Sequence, residues 1–313
     1  DPSPPGTGYL IVHVPASPTA PHQVDGIYYG RGDKTNRRLS DPEVERLFQR
    51  RASWNEGVQR NLTELMAFRE ADRVTAVPQL FLAARPVAAW PDFCLPVTGG
   101  PTAQQKLTEL RTAAATDLVL RQALDQMFPR ANWQPSMAAM SNVERTSTGA
   151  RLTARYPGTP PGNSEWDIDL DIEESGNLLF FAGKVGLPDR NFNGINYVGL
   201  CLDAVAVHIL EILTFASKLS DELRYASAWD VGIAVTNLHE SRPIASFASP
   251  RATTVGGFGN GYEAARYIRT TRADVAELVR QPGTVLDRLI GQLARAMYSE
   301  GYLKPLTDAR VNS

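Results

Sequence analysis

The chain has 313 residues, of which 43% are hydrophobic, 21% charged and 8% aromatic, a composition that excludes wholesale disorder. Lys and Arg number 32 against 34 Asp and Glu, a net charge of -2, which excludes a simple polycationic nucleic-acid coat but allows a local basic face. Two cysteines, Cys94 and Cys201, cannot build a disulfide framework or a structural zinc cluster, and no apolar run of twenty residues predicts a membrane span.

The chain opens on Asp1-Pro2-Ser3-Pro4-Pro5-Gly6, without the charged start and apolar core of a signal peptide. Tyr9 to Val14 reads as a strand that Pro15 stops or places at an edge. So abrupt a beginning reads as a piece of something longer. The Pro21-His22 turn follows, and Asp25-Gly26 turns the chain into a short strand, Ile27 to Arg31. Arg31, Lys34, Arg37 and Arg38 then place four cations within eight residues, with Tyr28 and Tyr29 beside them. Cations of this kind contact phosphate and an exposed aromatic stacks on a base. The alternative is one tyrosine packed in a core and a solvated, arginine-rich turn.

Ser40 and Glu43 form a capping box that opens a helix running to about Arg69. Its apolar positions include Val44, Leu47, Phe48, Trp54, Val58, Leu62, Leu65 and Phe68, a stripe wide enough to cover a sheet or a partner helix.

The strand ending in Val14-Pro15, the Pro21-His22 turn, the segment Gly26 to Gly32 and the helix opened by Leu39-Ser40 together resemble the C-terminal portion of the AlbA_2 domain of bacterial Schlafen-like proteins. The likeness covers about residues 8–52. It implies a DNA- or RNA-facing role for Tyr28, Tyr29, Arg31, Lys34, Arg37 and Arg38. The family's acidic N-terminal half, which supplies nuclease carboxylates in some members, would precede Asp1, so no catalytic residue is transferred. No P-loop or dinucleotide fingerprint accompanies it, and no cofactor or metal is expected.

Gln79 to Ala84 suggests a strand, and Trp90 to Cys94 an irregular connection. Asn61-Leu62-Thr63 matches a glycosylation acceptor but sits within the expected helix. Thr102 with Gln105 predicts the cap of a helix reaching about Phe128. Ala150 to Tyr156 alternates as a strand. Trp166 to Ile172 alternates more cleanly, with Asp167, Asp169 and Asp171 on one face, and Leu178 to Ala182 returns as its hairpin partner. Same-face neighbours stand about 7 Å apart, so the acidic row is expected to be a solvated face rather than a metal site.

Asn191 to Tyr197 reads as a turn-rich loop, and Gly199 to Leu219 as a long apolar helix on which His208 and Glu211 can meet. Ala226 to Val235 reads as a strand with Trp229, Val231, Ile233 and Val235 on one face, and Ile244 to Phe247 as a resumption of the sheet. His239, Glu240 and Arg242 follow the strand and offer a chemically usable cluster without a recognised nucleophile. The glycine run from Gly256 to Gly261 reads as a loop. Tyr262 to Arg269 is expected as an edge strand, Thr271 with Asp274 as the cap of a short helix, and Thr284 with Asp287 as the cap of the last.

The expected architecture is α+β: a truncated AlbA_2-like segment with its following helix (1–75), a helical linker region (76–145) and a larger two-layer antiparallel α+β domain (146–313). The expected function is a non-catalytic regulatory or assembly region of a bacterial, cytoplasmic nucleic-acid-binding protein, with homodimerisation and DNA or RNA as partners and no membrane. A protein-interaction or small-ligand module unrelated to nucleic acid is the alternative, and an enzyme centred on His239, Glu240 and Arg242 the third.

Overall fold

The computed structural model describes residues 21–31, 35–70, 77–87, 89, 92–117, 137–154, 168–192, 195–244 and 262–297. The strand expected at Tyr9 to Val14, the glycine run at Gly256 to Gly261 and the far end of the helix expected to reach Phe128 lie outside them, as does Asp167. The fold is mixed α+β around a large antiparallel sheet.

Near the N-terminal end, β1 (Gln23–Val24), β2 (Ile27–Arg31) and β3 (Asn36–Arg38) form a small antiparallel sheet in that order. Asp25 and Gly26 carry φ of 50° and 78° between paired Val24 and Ile27. Two positive φ values make this the two-residue hairpin turn whose twist matches its strands, which is why Asp-Gly is written there.

Helix α1 (Asp41–Glu70) follows. Glu43 Oε2 accepts hydrogen bonds from both the Ser40 backbone N–H and the Ser40 hydroxyl, each at 2.9 Å, so the expected box closes through the glutamate. At 1.5 Å per residue, 30 residues extend about 45 Å. Its C-terminal half buries Val58, Leu62, Leu65 and Met66, while Phe48 and Phe68 of the expected stripe remain exposed.

The main sheet has seven strands. They are β4 (Gln79–Pro86), β5 (Asn142–Arg145), β6 (Gly149–Ala154), β7 (Ile168–Glu173), β8 (Leu178–Ala182), β11 (Ala228–Thr236) and β13 (Arg266–Asp274), arranged β13-β11-β4-β8-β7-β6-β5. Every described pairing in it is antiparallel. β4 and β5 come from the segment expected to be a helical linker. β4 is a central strand, paired with both β8 and β11.

The expected two-layer packing needs correction, because helices cover both faces of the central strands. Leu80, Leu82 and Ala84 of β4 point into the larger core, whereas Phe81 and Ala83 point into a second core with Val58, Leu62, Leu65 and Met66 of α1. Period two sends alternate residues to opposite faces, and a strand apolar at every position satisfies two covering layers. Gly232 of β11 admits α1: a Cβ there would lie 2.7 Å from Leu62 Cδ1.

The larger core lies on the opposite face. Helix α4 (Leu202–Glu222) is buried nearly all round, packing with α3 (Ala103–Ala115), α5 (Val275–Arg280) and α6 (Pro282–Met297). The short α2 (Leu95–Thr98) precedes α3. Thr102 stands at the N-cap of α3 but makes no side-chain capping bond; its backbone carbonyl accepts from Lys106 N–H instead.

Two other helix starts differ from expectation. Asp274 Oδ1 alone caps α5, accepting from Glu277 N–H at 2.6 Å, while Thr271 stays in β13. α6 begins at Pro282, before Thr284, because proline's fixed φ and missing N–H suit the first helical position.

The segment read as a turn-rich loop contains strands. β9 (Gly186–Phe192) and β10 (Ile195–Leu200) form a hairpin, and β12 (Arg242–Pro243) adds parallel to β10. The hairpin pairs Phe192 with Ile195, Asn191 with Asn196 and Arg190 with Tyr197.

Candidate nucleic-acid interface

The β2–β3 ladder divides the residues singled out by sequence between two faces. Tyr29 pairs with Arg38, Gly30 with Arg37, and Arg31 with Asn36. Period two places Tyr29 and Arg38 on one face and Tyr28 and Arg37 on the other.

The second face is turned to α1. Tyr28 meets Phe48 edge to face, with ring centroids 5.9 Å apart and planes at 88°. The Leu39 N–H donates to Tyr28 O at 2.9 Å and holds the chain where β3 ends. Arg37 grips Glu43 with both terminal nitrogens, Nη1 to Oε2 at 2.9 Å and Nη2 to Oε1 at 2.5 Å. That bidentate pair, with the two bonds from Ser40, holds the Glu43 carboxyl well below the usual carboxylate range, and Glu43 in turn raises the Arg37 guanidinium. Tyr28 and Arg37 therefore fasten the small sheet to the first turns of α1.

The first face is open among the described residues. Tyr29 is 45% exposed and Val24, on the same face of neighbouring β1, is 59% exposed. Arg38 is exposed and makes no ion pair among the described residues. Arg31 ends β2 opposite Asn36; its side chain and the whole of Lys34 lie outside the described residues. Sequence reasoning grouped all six as one surface and missed Phe48 as the partner of Tyr28. The capping box already marked Glu43, but not its second role as the anchor of Arg37.

The other sequence candidates have structural partners. Asp169 Oδ2 lies 2.7 Å from Arg69 Nη2 of α1, and Asp171 receives Arg151 at 2.5 and 3.0 Å. The acidic row expected to be solvated is thus ion-paired at both described positions, because α1 and β6 bring arginines to it. Asp230, not singled out by sequence, is buried and receives Arg272 at 2.6 and 2.9 Å.

His208 Nδ1 and Glu211 Oε2 stand 3.6 Å apart inside α4, where Glu211 also accepts from Met137 N–H at 3.0 Å. Among the described residues no group of three His, Cys, Asp or Glu is placed to hold a metal ion.

His239, Glu240 and Arg242 turn to different neighbours. His239 Nδ1 lies 3.1 Å from Glu263 O, Glu240 is exposed at φ 58°, and the Arg242 guanidinium carbon stands 5.6 Å from the Tyr197 ring. Cys94 and Cys201 are both buried, and burial pushes the Cys94 thiol up to about 12, which removes its thiolate at neutral pH. Among the described residues no helix is long and apolar enough to cross a membrane.

Compared with protein-family models, curated proteins and solved structures, the chain matches none. The likeness to the AlbA_2 domain rests on the sequence pattern of residues 8–52 alone.

Proposed function

We propose that this chain is a non-catalytic regulatory or assembly region of a bacterial, cytoplasmic nucleic-acid-binding protein of the Schlafen-like AlbA_2 kind, with its nucleic-acid contact on the segment from Tyr28 to Arg38. The observation that carries the reading is the anchored sheet β1–β3, which presents Tyr29 and Arg38 outward while Arg37 and Tyr28 hold it to α1. A cation and a ring side by side match phosphate and base. The larger sheet and its helices then serve assembly or regulation, including pairing of two copies.

The test is fluorescence anisotropy of labelled single- and double-stranded DNA and RNA with the whole chain, at low and physiological salt, beside a variant with Arg31, Lys34, Arg37 and Arg38 all changed to Ala. Binding that weakens with salt and with the substitutions is the expected result. Absence of binding to every probe overturns it.

A second reading, a protein-interaction or small-ligand module unrelated to nucleic acid, is favoured by Phe68, which stands 59% exposed near the end of α1. Loss of self-association or of a protein partner in a Phe68→Glu variant, with nucleic-acid binding absent from the parent chain, would favour it.

A further inference from the structure

The outward face of the small sheet has a composition that separates one kind of nucleic acid from another. Across its three strands it carries Val24 on β1, Ile27 and Tyr29 on β2, and Arg38 on β3. Cross-strand neighbours on one face have Cβ atoms about 5 Å apart, so the Tyr29 ring and the Arg38 guanidinium form one patch. Val24 and Tyr29 give the patch exposed apolar and aromatic surface, and the register puts Arg31 and Asn36 on the same face. Of the two cations of the segment whose side chains are described, Arg37 is committed to Glu43 on the opposite face and Arg38 is exposed on this one.

Duplex binding is driven by phosphate contacts and reads no base face. The open ring of Tyr29 offers what the charge does not. Stacking requires a base face, and in a duplex the base faces are covered by their neighbours.

We propose that the Val24–Tyr29–Arg38 face takes single-stranded nucleic acid, with Tyr29 stacking on an unpaired base beside the apolar Val24 and Arg38 meeting the adjacent phosphate. Arg37 is then a positioning residue that acts through Glu43 and does not touch the ligand. This inference rests on the nucleic-acid reading above, and its test separates the two.

The whole chain is titrated with a labelled twenty-nucleotide oligo-dT, an oligo-U of the same length and a mixed-sequence duplex, with far-ultraviolet circular dichroism to verify the fold of each variant. Both single strands are expected to bind at least tenfold more tightly than the duplex. Tyr29→Ala should weaken single-strand binding roughly tenfold to a hundredfold, while Tyr29→Phe, which keeps the ring, should stay within about threefold of the parent. Arg38→Ala should weaken binding and flatten the salt dependence.

Arg37→Lys with Glu43 retained should bind within about threefold of the parent, since a cation still reaches the carboxylate. Equal or tighter duplex binding, or indifference to Tyr29→Ala in a folded variant, overturns this inference and leaves the broader reading standing. Failure of the parent chain to bind any of the three probes overturns both.

Discussion

Arg69, in the last turn of α1, places its Nη2 2.7 Å from Asp169 Oδ2 on β7, and both side chains are only 11% exposed. The same guanidinium lies 4.9 Å from the centre of the Phe181 ring on β8. A helix and two strands thus meet at one ion pair beneath α1. Removing one partner strands the other charge where water reaches it poorly. Arg69→Ala and Asp169→Ala are each expected to destabilise the chain by about 3 kcal/mol in urea unfolding. The double substitution should cost less than the sum, with a coupling of at least about 1 kcal/mol in the double-mutant cycle. Additive losses would show that the pair contributes no specific energy.

Gly232 and Leu62 share one space between β11 and α1, where a Cβ on residue 232 would meet Leu62 Cδ1 at 2.7 Å and Thr270 Cγ2 at 3.2 Å. Gly232→Ala is expected to cost about 1–3 kcal/mol by overpacking. Leu62→Ala should cost about 2–5 kcal/mol by leaving a cavity. Combined, they should destabilise less than the sum, because the added methyl enters the space the leucine vacates. Thermal or urea unfolding of the three variants decides this.

Tyr225 is buried beside Phe93 and Trp229, and its hydroxyl donates toward the carbonyls of Val87 and Ala228, each 2.6 Å away. Burial is the largest influence on this phenol and pushes it up to about 12. The unfolded chain therefore releases this proton first, near pH 10. The resulting stability is fully present below pH 10 and is lost as pH rises through about 12. Tyr225→Phe should be less stable by about 1 kcal/mol at neutral pH and should lose less stability between pH 10 and 12 than the parent. Equal loss in both proteins would assign the alkaline transition to other groups.

Glu43 gives the opposite sign. Its carboxyl is held low, first by the side-chain bond from Arg37 and then by the bonds from Ser40. The stabilisation it confers on the small sheet is present above the ordinary glutamate range and is lost only as pH falls through the lower folded value. Carboxyl carbon chemical shifts of Glu43 should remain those of the ionised form at pH 4. In Arg37→Ala its titration should move back toward the ordinary glutamate value, and an unchanged midpoint would contradict the bidentate anchor.

Cys94 and Cys201 are both buried in the larger core. A thiol reagent should modify neither in the native chain over minutes and both after denaturation. Rapid native reaction at one site would show that its surroundings open.

Several elements were legible because their causes are local. The alternation from Ile168 to Ile172 and the return at Leu178 became β7 and β8, paired Leu170 to Phe180. The apolar run read as a helix from Gly199 became α4, which starts only at Leu202 because Gly199 and Leu200 pair in β10, and Trp229, Val231, Ile233 and Val235 all reached one core. By contrast, the stretch read as a loop from Asn191 to Tyr197 holds the end of β9 and the start of β10, because its asparagines obscure the alternation and only cross-strand pairing settles the conformation.

The candidate interface divides in the same way. Side-chain period, turn stereochemistry and the reach of a capping glutamate act over a few residues, so the sequence by itself determined the Asp25-Gly26 turn, the start of α1 and the presence of two tyrosines and several cations between them. Which tyrosine packs on α1 and which is open, which arginine is held by Glu43 and which is exposed, was decided by the register of β2 on β3 and by the arrival of Phe48 and Glu43 from α1. Tertiary structure likewise decided that Asp169 faces an arginine of α1 rather than water. Register and layer packing join residues that lie far apart along the chain, and the free energy that selects them comes from burying surfaces together, a quantity no single segment carries.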